Sequence, residues 1–145
     1  MVKVETSVVI NRPIGEVFAF VTNPENSPQY ESGVHEAKKT SKGPMGAGAT
    51  WQEVRQFMGR RIESTNEVTA YEPNKKFSFK STSGPFPVEG GYIFEQVEGG
   101  TKVTVTGQGE TGGFFKLADP LVARMVKRDL ETANANLKDL LEAQA

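Results

Sequence analysis

The sequence of 145 residues contains no cysteine and a single histidine, His35. Without thiols it can form neither disulfides nor thiolate metal sites, and one histidine is too few for the common zinc and iron ligand sets. No acidic loop has the spacing of a calcium site. No Ser-His-Asp or Cys-His set can be assembled from the spacing of its residues either. We therefore expect no metal and no cofactor.

Long hydrophobic runs and a strong net charge are also missing. Lys and Arg number 17 against 18 Asp and Glu, a formal net charge of −1, which argues against a nucleic-acid partner. No apolar run approaches the roughly 18 residues of a membrane span, and the N-terminus lacks the apolar core of a signal peptide. We expect a cytoplasmic protein without stable membrane insertion. The sequence does not indicate an oligomeric state.

The pattern that is present predicts one domain over residues 1–145 that begins with a strand and a short helix. Apolar and polar residues alternate over residues 1–10, as in a strand with one buried face. The apolar residues of 14–22 then follow at helical spacing. Pro24 and Pro28 keep the next segment short.

Six further strands and a long helix complete the predicted fold. The strands cover 34–39, the two arms of 50–69, 76–83, 87–96 and 101–109, and the helix runs from Pro120 to Glu142. Glycines 46, 48, 107, 109, 112 and 113 are interpreted as turns and bulges. One apolar stripe follows the helix: Val122, Val126, Leu130, Ala133, Leu137 and Leu141. Hairpin strands followed by one long helix indicate an α+β fold with the helix across the sheet.

The arms of 50–69 carry the most informative pattern. A type II′ turn at Gly59-Arg60 would pair Phe57 with Ile62 and place both large aromatics of the first arm on one face. That face also carries polar residues, which a purely structural core would have to satisfy with partners, whereas a ligand cavity accommodates them. Its predicted members are Trp51, Glu53, Arg55, Phe57, Ile62, Ser64, Asn66 and Val68.

Glu53 and Arg55 are the strongest candidates for ligand contacts. They lie two residues apart on a strand, so both point to the same side and can pair with each other. They could orient a polar group of a ligand, or form a structural ion pair. If the register were shifted by one residue, both would be solvated instead. Ser64 and Asn66 could contact the ligand or satisfy this pair.

Aromatic side chains and the long helix supply the rest of the predicted wall. We place Phe79, Tyr92 and Phe94 there, with Leu121 and Met125 from the helix, although such aromatics could equally be plain core. Further large side chains lie on or beside loops rich in glycine and proline, where they could line the cavity mouth or hold the loops to the body: Tyr30, Met45, Phe86, Phe114 and Phe115.

Several motifs resemble the polyketide cyclase/dehydrase-like branch of the START and Bet v 1-like (SRPBCC) superfamily. They are SVVINRP at 7–13, NEVTAYEPNKKF at 66–77, YIFE at 92–95 with GGTKVTV at 99–105, and LKDLLE at 137–142. The resemblance covers nearly the whole chain. It implies a helix-grip fold: a curved seven-stranded antiparallel sheet around a long C-terminal helix, two short helices after the first strand, and a deep cavity.

The resemblance and the inward polar residues together predict a function. We expect a small hydrophobic or amphipathic ligand, such as a lipid, isoprenoid or polyketide-like molecule, to bind between the sheet and the helix. The alternative is a cyclase or dehydratase in which Glu53, Tyr92 or Arg55 moves protons or polarises a carbonyl. A third hypothesis is a protein partner, although the charged face of the helix shows no groove for one.

Overall fold

The computed structural model describes residues 2–57, 59–84, 87–109 and 119–144. These form seven strands, two α-helices and one 3-10 helix. In chain order they are β1 (Val2–Ile10), α1 (Ile14–Val21), the 3-10 helix (Pro24–Gln29), β2 (Val34–Lys39), β3 (Thr50–Phe57), β4 (Arg60–Glu72), β5 (Lys76–Ser83), β6 (Val88–Val97), β7 (Gly100–Gly109) and α2 (Asp119–Glu142). The predicted helix-grip α+β fold is confirmed, and the strands begin and end close to the predicted residues.

All seven strands form one antiparallel sheet in the order β1-β7-β6-β5-β4-β3-β2. Successive strands from β2 to β7 pair as hairpins, and β1 joins at the far side of β7. Helix α1 and the 3-10 helix therefore connect the two edge strands of the sheet. The inward residues Thr101 and Val103 at the start of β7 are fully buried, and α1 packs against this strand.

The C-terminal half of α2 is fixed to the start of the sheet. Leu137 and Leu141 of the predicted stripe are almost fully buried. The Lys138 Nζ donates to the Val9 carbonyl at 2.9 Å, and Glu142 Oε2 accepts from the backbone N–H of Asn11 at 2.8 Å. This end of the helix is therefore packed and hydrogen-bonded, and any gap between helix and sheet lies toward its N-terminal half.

The turn between β3 and β4 lies one residue earlier than predicted. Phe57 pairs with Arg60, not with Ile62, and Gly59 has a φ of +78°. A glycine adopts this left-handed backbone at no steric cost, which is why the turn is centred there. The pairing partners consequently change by two residues, so Trp51 lies opposite Asn66. Because side chains alternate with a period of two, the predicted faces are unchanged.

The interpretation of the late glycines as turns and bulges is wrong for Gly107 and Gly109. Both lie within β7 and pair with residues of β1 and β6. Gly112 and Gly113 lie outside the described residues. Gly48, in contrast, is in a turn with a φ of +88°, as predicted for the loop before β3.

Candidate functional site

A cavity of about 480 Å³ lies between the concave face of the sheet and the N-terminal half of α2. Most of its wall is apolar. The helix contributes Val122, Val126 and Leu130, α1 contributes Val21, and the sheet contributes Val4, Trp51, Ile62, Phe77, Phe79, Val88 and Val105. Small-molecule sites of proteins have this volume and this character.

Aromatic rings form a continuous wall across the middle of the sheet. Trp51 stacks on Phe77 with ring centroids 6.0 Å apart, and Phe77 stacks on Tyr92 at 6.3 Å. Phe79 meets Trp51 edge-on at 5.3 Å. These contacts fix the ring planes through mutual packing, so the wall is preorganised. Only Tyr92 brings a hydroxyl into this row.

Three glycines leave part of the cavity floor without side chains. Gly90, Gly107 and Gly109 all line the cavity, and Gly90 lies directly opposite Gly107 in the pairing of β6 with β7. Glycine weakens a strand interior and often marks a position where something approaches the backbone closely. Sequence reasoning missed this feature, although glycines at alternate positions of an otherwise regular strand were the available signal.

One cluster of charged residues lies in the apolar wall. Arg55 Nε is 3.2 Å from Glu53 Oε2, and Arg55 Nη2 is 3.6 Å from Glu31 Oε1. Glu31 and Glu53 are largely buried, with side-chain exposures of 14% and 13%, whereas Arg55 keeps 36%. All three residues line the cavity, so the accessible surface of Arg55 can be reached from inside it.

Two tyrosines join the cluster to the aromatic wall. The hydroxyls of Tyr30 and Tyr92 are near enough to influence each other's pKa, and the Ser27 side chain also lowers the pKa of Tyr30. Tyr30 and Ser27 come from the 3-10 helix and its C-terminal end, whereas Tyr92 lies on β6. The curvature of the sheet therefore brings the 3-10 helix, β3 and β6 to one polar site.

Burial determines the protonation of this site. It raises the pKa of both tyrosines well above the ordinary value, so both hydroxyls stay protonated. Burial and then the charge of Glu53 raise the pKa of Glu31, although Arg55 opposes them. Burial acts to lower the pKa of Arg55, but Glu31 and Glu53 outweigh it and raise that pKa, so Arg55 is a cation.

Eight predicted cavity residues lie on the cavity wall: Trp51, Glu53, Arg55, Ile62, Ser64, Asn66, Phe79 and Tyr92. Their role in ligand binding stays a prediction. Ser64 is the direct cross-strand partner of Glu53. Glu31 was missed, because it lies after the 3-10 helix, outside any alternating pattern on a strand.

Other predicted positions differ from the structure. Leu121 and Met125 are exposed on α2 by 59% and 37%, and the cavity is lined by Val122 and Val126 instead. Phe94 is buried in the core, with its ring centroid 5.0 Å from that of Phe18. The predicted wall residue Phe57 lies in β3, but its side chain is outside the described part of the structure.

The prediction for the cavity mouth is wrong for Tyr30. This residue is buried with 3% exposure and lies on the cavity wall. Met45 packs against the core and holds its loop to the body. The other predicted mouth residues, Phe86, Phe114 and Phe115, lie outside the described residues.

A curved sheet that encloses a cavity under a long helix defines the helix-grip class of proteins. A family model described as polyketide cyclase/dehydrase and lipid transport matches residues 1–142. The chain belongs to this family, and the predicted resemblance to the SRPBCC superfamily is confirmed.

Solved structures share this fold at low sequence identity. The protein TTHA0849 from Thermus thermophilus is 22% identical, with 99% of each chain covered and a TM-score of 0.86. A START superfamily protein from Mycobacterium smegmatis is 15% identical, with 99% of each chain covered and a TM-score of 0.82. The di-domain ARO/CYC protein BexL from the BE-7585A biosynthetic pathway is 20% identical over 98% of this chain and 47% of that one, with a TM-score of 0.75.

A search of curated protein sequences finds no match. Within residues 2–57, 59–84, 87–109 and 119–144, no helix is long and apolar enough to cross a membrane.

Proposed function

We propose that this protein binds a small hydrophobic or amphipathic molecule in the cavity between the sheet and α2. The observation that carries the proposal is the combination of an apolar wall with one polar cluster at Arg55. Apolar walls supply most of the binding free energy, and a few placed polar groups orient the ligand. The family's description includes lipid transport, which supports the same reading.

The first experiment is native mass spectrometry of the protein purified from its own host. A bound mass that is released by organic solvent and identified as a lipid, isoprenoid or polyketide-like compound would support the proposal. The second experiment is titration with N-phenyl-1-naphthylamine, a neutral hydrophobic fluorophore. Trp51 is the only tryptophan, and it lines the cavity, so its emission should transfer to the bound probe. No transfer at saturating probe would count against the proposal.

A cyclase or dehydratase activity is the second candidate, and one observation favours it. Glu31 is a buried carboxyl with a raised pKa in contact with Arg55, inside the cavity. Carboxyls of this kind serve as general acids and bases near neutral pH. BexL, which shares the fold, is described as a di-domain ARO/CYC protein of a biosynthetic pathway. Conversion of a linear poly-β-keto thioester to a cyclised product would support this candidate, provided that Glu31→Gln abolishes the conversion and retains probe binding.

A further inference from the structure

The polar cluster contains more negative than positive charge. Arg55 is the single cation of the cluster and contacts two carboxylates, with Glu53 at 3.2 and 3.4 Å and Glu31 at 3.6 Å. With all three groups ionised, the cluster has a formal charge of −1. These contacts use Nε and Nη2, so the donors on that edge of the guanidinium are shared between two anions.

An anionic ligand group would be a third negative charge around one cation. Like charges held a few ångströms apart in a partly desolvated site repel strongly, since little water screens them. Burial raises the pKa of Glu31, Arg55 opposes that shift, and the charge of Glu53 adds to it. Negative charge in this partly buried cluster is thus unfavourable, and a ligand carboxylate would increase it.

The neighbouring hydroxyls do not offset this negative charge. Burial raises the pKa of Tyr30 and Tyr92, so both hydroxyls are neutral. Carboxylate oxygens are acceptors only, with about four lone-pair positions on each group, and Arg55 occupies few of them. The carboxylate oxygens of the cluster can consequently accept further hydrogen bonds, and a ligand group that donates them would fit.

Charged residues nearer the solvent do not change this balance. Arg60, Arg61 and Glu89 also line the cavity, but all three are exposed. Arg61 contacts Glu63 at 3.2 Å, and Glu89 accepts from Gln108. Water and salt screen charges at such positions.

We propose that the polar end of the ligand is a hydrogen-bond donor without negative charge, an alcohol, phenol or amine, and not a carboxylate. The donor binds to the free carboxylate oxygens of Glu31 and Glu53, and the apolar body lies along the aromatic wall. This inference rests on the proposed binding function and specifies the ligand class for that same cavity.

The test compares 1-decanol with decanoate as competitors for bound N-phenyl-1-naphthylamine at about pH 7.5, where the carboxylate of decanoate is ionised. The two compounds share one chain length and differ in the polar end. We expect 1-decanol to have an inhibition constant at least about tenfold lower, since one unfavourable buried charge contact costs more than the roughly 1.4 kcal/mol of a tenfold change. Equal affinities, or tighter binding of decanoate, would overturn the inference and leave the binding function intact.

Two substitutions test whether the polar cluster causes the preference for 1-decanol over decanoate. In Glu31→Gln and in Glu53→Gln, one carboxylate becomes a neutral amide of similar shape, so the preference for 1-decanol should shrink at least about threefold. The control Glu36→Gln, at an exposed position of β2 away from the cavity, should keep the preference. An unchanged preference in both cluster variants would refute the assignment. If the probe does not bind the unmodified protein, the binding function itself fails, which separates the two failures.

Discussion

Gly90 lies directly opposite Gly107 on the concave face of the sheet, where β6 pairs with β7. The next inward pair along these strands, Tyr92 opposite Val105, carries large side chains. The two missing side chains leave open space in the cavity floor, so the volume of the cavity depends on these positions.

Gly107→Leu should fill the cavity and abolish probe binding. A Cβ at position 107 would lie 3.6 Å from Val4 Cγ2, an ordinary van der Waals contact, so the strand can accept a side chain there. The leucine would then occupy space needed by the ligand, and we expect the affinity for N-phenyl-1-naphthylamine to fall at least about tenfold. Gly46→Leu is the matched control, because nothing lies within 4 Å of a Cβ at that loop position. Equal loss of affinity in both variants would contradict the prediction.

Alanine substitutions at the two paired glycines should affect stability differently. At Gly90 a Cβ would lie 3.0 Å from the Thr106 carbonyl oxygen and 3.1 Å from Phe79 Cζ, which forces the backbone or the ring to shift. Gly90→Ala should therefore lower the free energy of unfolding by about 1–3 kcal/mol. Gly107→Ala should change it by less than about 1 kcal/mol, with stabilisation possible through the unfolded chain. Urea denaturation of both variants measures the difference, and equal losses would count against this packing.

Glu31 and Glu142 should affect stability with opposite pH dependence. Burial raises the pKa of Glu31, so the folded state holds its proton more tightly, and stability falls as pH rises from about 4.5 through the folded pKa. Hydrogen bonds from the Asn11 backbone and from Lys138 lower the pKa of Glu142. Its contribution to stability is therefore present above about pH 4.5 and is lost as pH falls through the lowered pKa.

Urea denaturation between about pH 3 and 8 separates these effects in the two glutamine variants. Relative to the unmodified protein, Glu31→Gln should gain stability as pH rises above about 4.5. Glu142→Gln should lose stability relative to the unmodified protein as pH rises from the lowered folded pKa to about 4.5, and the difference should stay constant above that pH. Glu36→Gln, at an exposed position of β2, is the control and should follow the unmodified protein. Parallel curves for the two test variants would contradict the prediction.

Removal of the Asn134 side-chain amide should cost the folded protein little or no stability. Among the described side chains, its Nδ2 is buried without a hydrogen-bond partner, which costs free energy in the folded state. Asn134→Ala removes that cost and improves helix propensity, so stability should change by less than about 0.5 kcal/mol or increase. Thr101→Val is the comparison, because the buried hydroxyl of Thr101 donates to the Arg12 carbonyl at 2.8 Å. Its removal should lower the free energy of unfolding by about 1–3 kcal/mol. A larger loss at Asn134 than at Thr101 would refute this account.

Local patterns in the sequence were sufficient to predict the strands and helices and most of the residues on the inward face of the sheet. Strand alternation depends on a period of two, and helix burial depends on a period of about 3.6, so both can be read from neighbouring residues. The stripe from Val122 to Leu141 was predicted for this reason. The prediction that Trp51, Glu53 and Arg55 point inward is correct although the predicted turn was misplaced by one residue. A shift of two residues in pairing keeps every side chain on its face.

Positions that depend on the exact rotation of the helix about its axis were less well predicted. Leu121 and Met125 are each one residue from Val122 and Val126, and one residue is a rotation of about 100° around a helix axis. That rotation exposes the first pair and places the second pair on the cavity wall. Similarly, Gly107 and Gly109 were interpreted as belonging to turns and bulges, and the regular pairing of β7 with β1 and β6 corrects that interpretation.

The sequence by itself determined that this chain forms strands in hairpins and a long helix with polar groups on the inward face, because alternation, turn residues and helical spacing are local. Only the tertiary structure decided which groups meet inside. Glu31 reaches Arg55, and Tyr30 reaches Tyr92, since sheet curvature brings the 3-10 helix, β3 and β6 together across the cavity. Contacts of this kind depend on how elements far apart in the chain pack, and no local pattern encodes them.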